Sequence, residues 1–272
     1  MKISIFTSMT NPEDRQDPWK EALNCYEDFA DEVITVGEDW PEDFSWDYIG
    51  QTFQKGLDQS TGDWSIRMDL DYFFHEKDFD YIRKFLEKNN QYPVVAFPKR
   101  QFFTQDRYQI QSRICLAVNK KSYPNVKLNG GGDLCFPTLN GKDLNPYDLP
   151  LAKSPIWNYD MMFKSKEIIA KERLRFGNAW VSYFGEKGIF NIENEDAAFE
   201  TWFKWIEDKY KKHIFKIADN KHPIYIQEKL LKLDSSQFGY SAFGLKDNIK
   251  ISYRDLFDGY KNRFLNVKHT SR

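Results

Sequence analysis

The stretch WSIRMDLDYFFHE, Trp64 to Glu76, decides how this chain is read. The run from Trp64 to Met68 is mostly apolar and reads as a strand, and Asp69 and Asp71 follow it one residue apart. Residues two apart in an extended chain project to the same face, so both carboxylates would stand together. Like charges that close repel, and burying them uncompensated is costly. A hard cation or basic side chains should sit between them. Mg²⁺ and Mn²⁺ prefer carboxylate oxygens and bind jointly to substrate phosphates.

Working outward, Lys2–Thr7 reads as a first strand, and Pro18 opens a helix with Trp19, Leu23, Tyr26 and Phe29 at helical spacing. Glu32–Gly37 is a second strand, and Trp46–Leu57 a second helix ended by Thr61-Gly62-Asp63. After the aspartates come a helix over Lys77–Lys88 and a strand over Tyr92–Phe97. Such alternation predicts a mostly parallel, Rossmann-type α/β sheet flanked by helices. Ligands of such sheets bind outside the carboxyl ends of strands, which is where Asp69 and Asp71 lie.

Beyond Arg100 the pattern is less regular. Ser112–Val118 reads as a strand, Asn129–Asp133 as a glycine-rich turn, and Asp143–Pro155 as a loop. A charged helix is expected over Ser165–Arg175 and a longer one over Glu195–Phe215, where Phe199, Trp202, Ile206 and Tyr210 form a core-facing stripe. Two regions are expected: a catalytic domain over 1–185 and a mainly helical extension over 186–272, packed on it.

The chain has 272 residues, 41% hydrophobic and 29% charged, as in an ordinary globular protein. Aromatic residues reach 17%, which suits a bulky core and also suits stacking on sugars or bases. The net charge of -2, with acids and bases interspersed, shows no clear nucleic-acid surface. Cys25, Cys115 and Cys135 lack metal-site spacing and read as reduced thiols. With no signal peptide and no membrane-length apolar run, a cytoplasmic location is expected. His75, His213, His222 and His269 are scattered, and satisfied or solvated imidazoles are the expectation.

The order of these parts, with an acidic tip after the second strand and Asp-x-Asp closing a later one, resembles the GT-A-fold glycosyltransferases, particularly the family 2-like ones. The resemblance is one of layout over residues 1–185. It implies a GT-A-like fold and a metal-dependent transferase that moves a sugar from a nucleotide-diphosphate donor to a glycan or other hydroxyl acceptor. It implies a divalent metal, Mn²⁺ or Mg²⁺, bound by Asp69 and Asp71, with Asp71 the direct ligand, holding the donor diphosphate. It further implies nucleoside contacts from Phe6, Thr7, Ser8 and Met9 and from the acidic tip, Glu38 or Asp39.

Two departures accompany the likeness. Thr7-Ser-Met-Thr-Asn11 replaces the family's Pro-x-Tyr-Asn-like turn, and no Glu-Asp dipeptide marks the catalytic base. Asp133, after the triple glycine, and Asp160, in Trp157-Asn-Tyr-Asp160, are the candidates, with Asp133 preferred. The alternative for Asp160 is a helix N-cap. Asn158-Tyr159 stands where some relatives place a metal-binding His-Tyr pair.

Three other readings compete. A haloacid-dehalogenase phosphatase places its Asp-x-Asp after the first strand and follows it with Thr or Val, where this chain has Phe73. A sugar-phosphate nucleotidyltransferase has a glycine-rich basic loop that Thr7–Arg15 does not supply. A non-catalytic nucleotide- or sugar-binding module stays open while the base is unassigned.

Overall fold

The computed structural model describes residues 1–130, 135–185, 188 and 190–267. The first hundred residues fold as the alternation dictates: β1 (Ile3–Ser8), α1 (Trp19–Phe29), β2 (Glu32–Val36), α2 (Trp46–Gln59), β3 (Trp64–Arg67), β4 (Tyr72–Phe73), α3 (Phe79–Lys88) and β5 (Val94–Thr104). Helix α1 buries Ala22, Cys25, Tyr26 and Phe29, one stripe at helical spacing. Strands β1 and β3 are buried on both faces, so that polar Ser4, Thr7, Ser65 and Arg67 are enclosed along with the apolar residues.

Next come β6 (Arg107–Val118), β7 (Val126–Asn129), β8 (Phe136–Leu139), β9 (Lys142–Asp143) and β10 (Ile156–Asn158). They are followed by α4 (Lys166–Phe184), α5 (Glu195–Tyr210), β11 (Phe215–Lys216), α6 (Ile224–Leu231), α7 (Phe238–Ser241), α8 (Leu245–Asn248) and α9 (Tyr253–Val267). The central sheet runs β2-β1-β3-β6-β5-β10-β4, with β11 paired to β6. Among the described residues β1, β2, β3, β5, β10 and β11 share one direction, and only β4 and β6 oppose it. The fold is therefore mixed α/β around a large, mostly parallel sheet flanked by helices, as the sequence leads one to expect.

Four boundaries move. The strand expected to end at Phe97 continues to Thr104, and its partner begins at Arg107, not Ser112, so the two form a long hairpin. Pro98 interrupted the strand pattern; it sits beside a register shift at Pro98/Lys99, where a missing N–H is tolerated. Because this hairpin returns between β3 and β5, β6 is antiparallel to both. Helix α4 runs on to Phe184, whereas α5 stops at Tyr210 and Phe215 joins β6 as β11. Lys142–Asp143, at the rim of the expected loop, pairs with β8 in a small second sheet of β7, β8 and β9.

Candidate functional site

The carboxyl ends of β1, β3 and β10 open into a cleft of about 280 Å³. Chain order explains its walls. Ser8 ends β1, Trp40 follows β2, Asp69 and Asp71 follow β3, Asp160 follows β10, and Arg173 and Phe176 come from α4. The mixed α/β class places a ligand site here.

Strand β3 ends on Arg67, a buried guanidinium whose Cζ lies 4.8 Å from the Phe53 ring centroid. Its Nη2 is 3.5 Å from Asp69 Oδ2, so the first aspartate is steered by a cation from the strand itself. Leu70 turns inward between the two acids. Asp71 keeps some surface open to the cleft; its Oδ2 accepts a 2.8 Å hydrogen bond from Asn158 Nδ2, and its carbonyl accepts from Tyr159 N. Burial, then the charges of Asp160, Asp69 and Asp17, push the Asp71 carboxyl well above the ordinary range. That is the electrostatic signature of an acid cluster short of positive charge.

Beside it lies a compensated cluster. Lys164 Nζ is 2.8 Å from Asp17 Oδ1 and 2.9 Å from Glu172 Oε1, while Arg15 Nε is 2.8 Å from Asp17 Oδ2 and 3.2 Å from Glu172 Oε1. The Lys164 and Asp17 side chains are only 5% and 6% exposed. Against the opposing effect of burial, Arg15 and Lys164 hold the Asp17 carboxyl below its ordinary value. Arg175 donates to the carbonyls of Pro41 and Glu42, tying α4 to the loop after β2. Arg173 Nε is buried with no hydrogen-bond partner among the described residues.

The far wall is aromatic: Trp40, Phe44 and Phe176 meet edge to face, with Phe44 5.1 Å from Trp40 and 5.8 Å from Phe176. Gly37 makes this packing possible. Its φ is +75°, and a Cβ there would come within 2.6 Å of Trp40 Nε1 and 2.8 Å of Ser8 Oγ.

The expected site residues divide accordingly. Asp69, Asp71, Asp160 and Ser8 line the cleft. Phe6 and Thr7 are buried in the sheet, Met9 lies outside the lining, and Glu38 and Asp39 are exposed on the turn before Trp40. Asp133 lies outside the described residues. Asp160 is not the helix cap, since Ser165 Oγ accepts from Ile168 N at the start of α4. Trp157 and Tyr159, which precede Asp160, are buried in the core. The histidines are structural where described. His75 pairs with Glu76 at 3.0 Å, and His222, lowered to about 4 by burial, sits between the Tyr159 hydroxyl and the Gln105 carbonyl at 2.8 Å each.

Arg15, Asp17, Trp40, Lys164, Glu172 and Arg173 were not anticipated. Only Lys164 carried a signal, a lone charge closing the apolar run Met161-Met-Phe163. Among the described residues no group of three or more His, Cys, Asp or Glu is arranged to hold a metal, and no helix is long and apolar enough to cross a membrane.

What fold and site define together is a mixed α/β protein with an acid- and arginine-lined cleft at its strand ends. No family model matches the sequence, and no curated protein matches it. Among solved structures the chain is similar to S. aureus TarS 1-349, with a TM-score of 0.37 and 9% identity over 79% of this chain and 81% of that one. The same TarS fragment in complex with UDP gives 0.32 and 10% over 99% and 89%, and in complex with UDP-GlcNAc 0.31 and 10% over 79% and 82%. At these scores it is the cleft, and not the likeness, that carries a functional reading.

Proposed function

We propose that this chain is a metal-dependent glycosyltransferase, taking a sugar from a nucleotide-diphosphate donor to an acceptor hydroxyl. The observation that carries the reading is one cleft in which the crowded Asp71 carboxylate, an arginine nitrogen unpartnered among the described residues and an aromatic wall converge. A nucleotide diphosphate with a divalent cation has the complementary parts: an aromatic base, a polyanion and a hard charge.

The residues fit such a cation. Asp71 and, through water, Asp69 offer hard oxygens, and the buried Asn158 Oδ1 has no partner among the described residues. A bound cation would draw its remaining oxygens from the donor diphosphate and water, and so would need no third acidic protein ligand. When bound, Mg²⁺ or Mn²⁺ supplies charge neutralisation for the leaving diphosphate. Arg173 takes the phosphate charge that remains, in the low-dielectric setting where it counts most. Trp40 and Phe44 hold the base by stacking. Asp160 receives the acceptor proton as the glycosidic bond forms.

The direct test is thermal stabilisation by UDP and by GDP with and without Mn²⁺. Stabilisation by at least one nucleotide, enhanced by the metal, is expected; no shift under any combination refutes the reading. Replacement of Trp40 by Ala is expected to weaken nucleotide binding about tenfold, the worth of one stacked base. Asp160→Asn is expected to lower turnover about a hundredfold with donor affinity kept and no fall in melting temperature, because Ser165 caps the helix. A fall in melting temperature with unaltered turnover would assign Asp160 to structure instead.

A further inference from the structure

Helix α9 is inside out. Tyr253, Leu256, Phe257 and Tyr260, at i, i+3, i+4 and i+7, form one apolar stripe; Tyr253 and Phe257 stand out at 92% and 68% exposure, while Leu256 and Tyr260, at 37% and 52%, are partly covered. The opposite side is polar or small: Asp255 and Asp258 are partly covered, and Gly259 is buried against Ile214 and the Lys212 carbonyl. The helix is anchored in this orientation. Ser252 and Asp255 form a reciprocal cap, Asp255 Oδ2 accepting from Ser252 N at 2.8 Å and Ser252 Oγ from Asp255 N at 3.3 Å. Tyr260 meets Phe215 edge to face at 5.6 Å, and Arg263 lies over the same ring. Four large side chains on one face of a well-capped helix call for a covering surface.

Charge identifies the surface. The exposed charged residues of α9 are all basic, Arg254, Lys261 and Arg263, with Asp255 and Asp258 partly covered, and the exposed Lys250 precedes them. Aromatic and aliphatic side chains bordered by lysine and arginine match the boundary of an anionic bilayer, where rings sit at headgroup depth and each basic residue adds about 1 kcal/mol. A second copy fits poorly, since a two-fold contact would press this basic border against itself. We propose that α9 docks the protein on an anionic membrane surface.

The topology gives this docking a direction. Strand β5 last pairs with β10 at Gln101–Asn158 and runs three residues further to Thr104 before returning as β6, about 10 Å beyond the cleft end of the sheet. Strand β11 pairs with the start of β6 at Tyr108 and Arg107, and Phe215 of β11 is the residue Tyr260 packs on. The docking helix therefore sits at the same end of the sheet as the cleft.

Sedimentation of the full chain with vesicles tests the proposal. Binding to mixed phosphatidylcholine–phosphatidylglycerol vesicles is expected, weakening as salt rises, with little binding to pure phosphatidylcholine. The paired change Leu256→Asp, Phe257→Asp should lower the bound fraction about tenfold or more. Should that variant misfold, Arg254→Glu with Lys261→Glu leaves the apolar stripe intact and should also release the protein. Equal binding to neutral and anionic vesicles, or none to either, overturns the proposal. So does a concentration-dependent dimer, seen by sedimentation velocity, that Phe257→Asp dissociates.

Discussion

Replacing Asp71 with Asn is expected to abolish metal-dependent nucleotide binding and to lower turnover by about a thousandfold, without weakening the fold. The size follows from its position: a group stabilising charge on the leaving diphosphate contributes about 4 kcal/mol to the barrier. The fold is spared because Asn can still accept the hydrogen bond from Asn158 Nδ2. Relief of acid repulsion works in the same direction. Burial and then Asp160, Asp69 and Asp17 raise the Asp71 carboxyl above its ordinary value, so its protonated form is favoured in the folded state. Stability from that preference is present at acid pH and is lost as pH rises through the raised value. The Asn variant should therefore melt above the parent at neutral pH, and the gap should close in acid. Because the raised carboxyl keeps its proton to higher pH, protons compete with the metal for it, and Mn²⁺ affinity should fall as pH falls. Calorimetric titration and melting curves at several pH values check both parts. A variant that bound nucleotide with Mn²⁺ as tightly as the parent would remove Asp71 from the site.

Lys164→Met should cost about 3–5 kcal/mol, because it leaves Asp17 and Glu172 buried with only Arg15 to answer two charges. For a chain of this length each kcal/mol moves the melting temperature by about 2–4 °C, so a fall of about 10 °C is expected. The acid dependence has a definite sign. Asp17 is held below 3.8 in the folded state by Arg15 and Lys164 against the opposing effect of burial. Its contribution is thus present above that pH and lost as pH falls through the depressed value. The parent should lose stability in acid more steeply than the variant. Adding Glu172→Gln to Lys164→Met should recover part of the loss by removing one stranded charge. A single variant as stable as the parent would show that the cluster is solvated and not a buried frame for the cleft.

The two variants mark different layers of the site, and the layers differ in how far local sequence reveals them. Asp71 is legible because strand geometry, a two-residue spacing and position after the third strand are all local properties. Period-two and period-3.6 apolar patterns state which face of each segment is buried, so β1, α1, β2, α2 and β3 fall close to their expected bounds. Asp160 is legible only as one of two candidates through the family resemblance, behind Asp133, and the strand Ile156–Asn158 that delivers it to the cleft is not read from the sequence.

The sequence by itself determined the α/β class, the alternation of the main strands and helices through Phe97 and the delivery of Asp69 and Asp71 to a strand's carboxyl end, since each depends on contacts within a few residues. Only the tertiary structure decided that β6 enters between β3 and β5, because apolar patterning names a buried face without naming the strand beside it. The same holds for the charges that frame the cleft. Asp17 and Lys164 lie 147 positions apart and Asp71 and Asn158 87 apart, and nothing local marks such partners. Helix α9 is a further case. Which side of it meets the protein is decided by packing: Gly259 is small enough to approach Ile214 and the Lys212 carbonyl, and Tyr253 and Phe257 are left exposed.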